Sequence, residues 1–153
     1  MPEVILSIRP GWCELIAQGI KKFDARKSVP KCDMPFKCYI YCTKDEPLYH
    51  SGEKFWCKAA GEFGNGKIIG EFICDQVVFM VVHPDLFAGH PLSYTKALED
   101  ACLTKEQAEE YSGGKDVLGW HISDLVIYDQ PKELCEFGIK RAPQSWCYVR
   151  RTT

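Results

Sequence analysis

The chain has 153 residues, 46% hydrophobic and 26% charged, an ordinary globular balance that suggests one domain spanning 1–153. Lys and Arg number 19 against 21 acids, a formal charge of −2, so the overall basic signature of a nucleic-acid-binding protein is absent. Apolar runs fall short of the ~20 residues a membrane helix needs, and nine cysteines, an odd number with no signal peptide, argue for reduced buried thiols in a cytoplasmic protein rather than a secreted disulfide framework.

Residues 3–8 read as a strand. Pro10 suits the first turn of a helix, Trp12, Leu15, Ile16 and Ile20 recur at helical spacing, and Gly19 is a plausible stop. Residues 21–27 then read as a strand with four basic residues and one carboxylate. By the period of two, Lys22, Asp24 and Arg26 share one face, and Phe23 and Ala25 the other, which packs. The charged face suits a phosphate or a nucleobase edge, while an ordinary solvated salt bridge is the commoner outcome for such a face.

A loop over 28–35 leads to a strand at 36–43. Residues 44–65 have no clear periodicity and read as a long excursion or flap. Residues 66–82 form one long β pattern in which Gly70 marks a bulge or barrel corner, and whose second half is apolar enough to be buried on both sides. A helical insertion at about 94–113 follows, with Thr104 and Gln107 as a capping box and Ser112-Gly113-Gly114 as its end. The rest reads as an extended 118–122, a strand at 125–128, a helical turn at 131–134 and a last strand at 145–150. Six or seven strands with about three helices in mixed order give an α+β domain on a curled sheet or small barrel.

The charge is uneven. Residues 1–60 carry ten basic groups against seven acids, 85–116 three against seven, and 132–153 five against two. Outside the 21–27 strand, three stretches hold candidate chemistry. Arg9 precedes a helix N-terminus, where backbone N–H groups attract anions. Trp120 and His121 combine a ring with a titratable donor. Gln144 and Ser145 offer hydrogen-bonding groups ahead of Trp146 and Tyr148. Taken alone, the Trp120–His121 and 144–148 stretches are better accounted for by core packing. The chain has no CxxC pair and no nucleotide-binding fingerprint, so no metal and no cofactor is expected.

Gly19, Lys21, Asp24 and Arg26 resemble the G-x-K-x-x-E-x-R motif of the ASCH domain family, with Asp for the usual Glu. Leu6-Ser7-Ile8-Arg9-Pro10 before a short helix, Gly70-Glu71-Phe72 in a β pattern and the final Trp-rich strand also resemble bacterial and phage-associated ASCH proteins. The resemblance covers nearly the whole chain. It implies a PUA-like fold, a small, partly open β-barrel with flanking short helices, and a cleft that binds RNA, single-stranded nucleic acid or a modified nucleoside. In that cleft Lys21 would stand at the mouth, and Asp24 would accept from base N–H groups or orient Arg26. To these we add Arg9, Gln144 and Ser145 as polar contacts and Trp120, His121 and Trp146 as stacking surfaces.

One branch resembling this family removes the acetyl group from acetylated cytidine. There a threonine nucleophile matches Asp24 and pairs with the lysine matching Lys21. The aspartate here leaves a water activated by Asp24, with Lys21 as electrophile. Three readings follow: a binding module, a small hydrolase (amidohydrolase or ribonuclease) that uses Lys21 and Asp24, and a protein-interaction module with a vestigial cleft.

Overall fold

The computed structural model describes residues 1–44, 65–81 and 91–149. Of the expected excursion at 44–65, all but the end residues lie outside them. Among the described residues eight strands make two sheets. β1 (Glu3–Ile8), β3 (Phe36–Cys42), β4 (Lys67–Cys74), β7 (Ser123–Lys132) and β8 (Trp146–Tyr148) form one, in the order β7-β4-β3-β1-β8. The other runs β2 (Phe23–Arg26), β6 (Val117–His121), β5 (Val77–Val81). Only β1 and β3 run parallel, with Ile8 opposite Cys42; the other pairs are antiparallel. Helix α1 (Pro10–Ala17) follows β1, and α2 (Pro91–Asp100) and α3 (Lys105–Ser112) lie between β5 and β6. The architecture is a mixed α+β, partly open barrel. No described helix is long and apolar enough to cross a membrane.

Strand alternation sorts the large sheet into two apolar faces. Val4, Leu6 and Ile8 of β1, Cys38, Ile40 and Cys42 of β3, and Phe72 and Cys74 of β4 join Cys13 and Ile16 of α1 and Trp120 of β6 in the main core. Ile5, Tyr39, Tyr41 and Ile68 face the other way and are covered by Phe137 from a 3₁₀ turn at Leu134–Phe137. A third cluster packs Phe23, Met80 and Val117 of the small sheet on Ala97, Leu98, Ala101 and Ala108 of the helical pair.

The expected long strand at 66–82 breaks at Asp75 and Gln76, and its halves belong to different sheets. Phe79 is 49% exposed, so β5 is not buried on both sides. The helical turn expected at 131–134 comes later, because β7 runs on to Lys132 and the turn starts at Leu134. Gly70 does sit at a corner, with the β4–β7 register shifting between Ile68 and Gly70. A methyl group there would run into the backbone carbonyl oxygen of Val126.

Candidate functional site: a buried Lys-Asp-Arg cluster in a cleft

Helix α1 ends through Gly19, whose φ of +76° is costly for any side chain with a Cβ. The chain turns there, and the Lys21 N–H returns to the Leu15 carbonyl at 3.1 Å. β2 then pairs with β6, setting Asp24 opposite Trp120 and Arg26 opposite Leu118. Phe23 and Ala25 pack toward the helical pair. Asp24 and Arg26 are both buried, and Arg26 reaches across to the large sheet.

Arg26 is a clamp. Its Nε donates to Asp24 Oδ2 at 2.5 Å, Nη1 donates to the Ser145 carbonyl and hydroxyl, both at 3.1 Å, and Nη2 donates to the Ser7 carbonyl at 2.8 Å. One side chain thereby ties β2 to β1 and to the entrance of β8. Four of its five donors are used inside the protein. Burial lowers the guanidinium's proton affinity, but the adjacent Asp24 charge and hydrogen bond raise it further, and the net shift is upward. The pair is therefore a fixed, charge-assisted unit.

Lys21 is only 3% exposed, a correction to its expected place at the cleft mouth. Its Nζ donates to the Ala101 carbonyl at 2.5 Å, just past the end of α2, and lies 4.4 Å from the centroid of the Trp12 ring. A cation at the end of a helix meets carbonyls left without intrahelical partners and the negative end of the helix dipole. Burial nevertheless lowers the Lys21 pKa, opposed in part by the charge of Asp24.

These groups border a cleft of about 620 Å³. Ser7, Ile8, Arg9 and Trp12 form one side, Lys21, Asp24, Ala25 and Arg26 the floor, Leu103, Gln107, Glu110 and Tyr111 the helical wall, and Gln144 the remaining edge. Of the residues expected from sequence, Arg9, Lys21, Asp24, Arg26 and Gln144 come together here, and Ser145 stands behind them on Arg26.

The three expected stacking residues do not line the cleft. Trp120 is fully buried, donates to the Ser28 carbonyl at 3.2 Å and meets Phe36 edge-on at 5.3 Å, so it is a core residue. His121 is held by Asp75, Nδ1 to Oδ1 at 2.7 Å. Trp146 is half-buried, donates to Ser28 Oγ at 2.9 Å and packs on Tyr148 at 5.3 Å. The aromatic rings in the cleft are Trp12 and Tyr111, which sequence reasoning places in the core of α1 and on an acidic helix. Tyr111 is 39% exposed and carries Lys27 Nζ at 4.7 Å from its ring centroid. A tyrosine at the next-to-last position of a polar helix was the available signal. Among the described residues no group of three or more His, Cys, Asp or Glu side chains is arranged as metal ligands.

No protein-family model matches the sequence, and no curated protein does. Solved structures match across nearly the whole chain. A crystal structure of ASCH from Zymomonas mobilis has 18% identity and a TM-score of 0.68, covering 97% of this chain and 88% of that one. A Tyr-to-Phe variant of the Zymomonas mobilis protein has 17% identity and a TM-score of 0.67, covering 97% and 91%. A Ser-to-Ala variant has 17% identity and a TM-score of 0.67, covering 99% and 92%. The fold of this chain is the ASCH fold.

Proposed function

We propose that the cleft binds a nucleobase or nucleoside unit of RNA, free or within a strand, and that the protein acts by binding. One observation carries this reading. A buried ammonium with donors left over after its bond to Ala101, and a buried carboxylate with one oxygen outside its ion pair, border the same cleft between two aromatic rings. Buried charges are costly unless paired or used. Donor, acceptor and ring together match a base edge and a base face. The cleft's size suits one such unit, and the likeness in fold to ASCH proteins supports the same class of ligand. A thermal-shift screen of nucleosides, modified nucleosides and short oligonucleotides tests it. A ligand of the folded state raises the melting temperature, and the shift should vanish in Asp24→Asn. No shift with any member of the screen contradicts the reading.

The lowered Lys21 pKa favours a second reading, hydrolysis of an acylated nucleoside, because a lysine that gives up its proton more easily can serve as a base. Release of free acid from an acylated cytidine, abolished in Lys21→Ala, is the result it requires. An intact substrate after prolonged incubation removes it.

A further inference from the structure

We propose that the segment from Ile139 to Gln144 is a phosphate track, along which a single-stranded polynucleotide runs from the cleft to a second subsite on the other face of the large sheet. The proposal rests on the cleft reading and extends it from one nucleotide to a strand. The second subsite is a cavity of about 540 Å³ lined by Tyr41, Lys44, Gly66, Glu133, Gly138 and Lys140, among others. It opens at the same end of the sheet as the cleft. β1 and β3 run parallel there, with Ser7 beside Tyr41, and the cleft takes Ser7, Ile8 and Arg9 while the cavity takes Tyr41 and Lys44.

One short segment joins the two. Ile139 and Lys140 line the cavity, and Gln144 lines the cleft. The segment is anchored from beneath: Ile139 and Ala142 pack on the cluster around Phe137, and the Pro143 carbonyl accepts the Ser7 hydroxyl at 2.6 Å. Lys140, Arg141 and Gln144 are left exposed on a held backbone. Lys140 and Arg141, with Arg9 and Lys44, set four cations along this end of the sheet, none of them in an ion pair among the described residues. The carboxylate of the second cavity, Glu133, is 3.6 Å from Lys67 and is partly neutralised by it. The path from Lys140 to Gln144 spans up to about 13 Å, more than one nucleotide. A row of cations on a fixed backbone, meeting a concave base site at one end, is the arrangement that holds single strands. The net charge of −2 does not oppose this, because residues 132–153, which carry the track, hold five basic groups against two acids.

The test is anisotropy of a fluorescein-labelled oligouridylate, titrated at several salt concentrations into the wild type, Lys140→Glu/Arg141→Glu, Lys44→Glu and Asp24→Asn. Exposed residues carry the first two changes, and melting curves check that each variant is folded. The proposal expects the charge-reversal variants to bind about tenfold or more weakly. It also expects the log–log salt slope to fall by about 0.7 for each phosphate that the variant no longer neutralises. Asp24→Asn should weaken binding with the slope unchanged. Wild-type affinity and slope in both charge-reversal variants overturn the track, even where Asp24→Asn weakens binding and upholds the cleft. Weakening in the charge-reversal variants alone upholds the track and removes the base site. Failure of the wild type to bind the oligomer at low salt overturns the track, while the nucleoside screen still decides the cleft.

Discussion

At the scale of single residues, the cluster serves stability and recognition through different members. Arg26 is spent on the fold: it fills acceptors on Ser7, Asp24 and Ser145. Arg26→Ala leaves the Asp24 carboxylate buried without its partner, and a loss of about 3–5 kcal/mol is expected in urea melts. A variant as stable as wild type would show that the clamp holds little. Lys21 has donors to spare, so its protonated form should be the one that binds. Its pKa lies below the ordinary 10.5, so affinity should fall on the alkaline side before a free lysine would titrate. A binding isotherm measured across alkaline pH checks this, and a curve flat up to 10.5 contradicts it. The split of Phe23 and Ala25 from Asp24 and Arg26 was legible from alternation alone. Their burial was not, because nothing local in 21–27 says that β1 and the entrance of β8 close over the guanidinium.

At the scale of elements, the sequence was informative where the backbone makes a particular demand. Thr104 and Gln107 form the expected capping box, Gln107 N–H to Thr104 Oγ1 at 3.1 Å and Thr104 N–H to Gln107 Oε1 at 2.9 Å. Thr104→Ala should cost about 1 kcal/mol of stability, and because α3 carries Tyr111 and Gln107 into the cleft wall it should also weaken ligand binding. Gly70→Ala should cost about 1–3 kcal/mol, since its methyl group meets main chain on β7 rather than a side chain that can turn aside. Denaturant midpoints measure both, and unchanged midpoints would refute either. The break at Asp75–Gln76 was illegible because it contains neither glycine nor proline. What marks it is tertiary: the His121 N–H donates to the Gln76 carbonyl at 2.9 Å and the His121 ring holds Asp75, so β6 draws the link and the strand after it into the small sheet. Trp120 was misread for a related reason. A glycine before a tryptophan looks like an exposed platform until Phe36 and Trp146 are seen around it.

At the scale of the whole molecule, the buried thiols set an alkaline limit to stability. Burial pushes Cys38 well above the usual thiol range and Cys74 up to about 12, from 9.0. In that window the folded protein keeps protons that the unfolded chain sheds. Their contribution is complete below 9.0; that of Cys74 is lost as pH rises through about 12 and that of Cys38 at still higher pH. Lys21 acts in the opposite sense, since the unfolded chain holds that proton longer, up to 10.5. Stability should thus fall above pH 9.0, and a Cys38→Ala/Cys74→Ala variant should flatten the fall in pH-resolved urea melts. An unchanged slope would contradict the assignment.

The central claim is that the Lys21–Asp24–Arg26 cleft receives a base, and amide NMR of the whole protein titrated with nucleosides and a short oligouridylate tests it most directly. The account predicts saturable shifts at Arg9, Trp12, Asp24, Tyr111 and Gln144 that disappear in folded Asp24→Asn. Shifts confined to surfaces away from these residues, or none with either ligand, would contradict it.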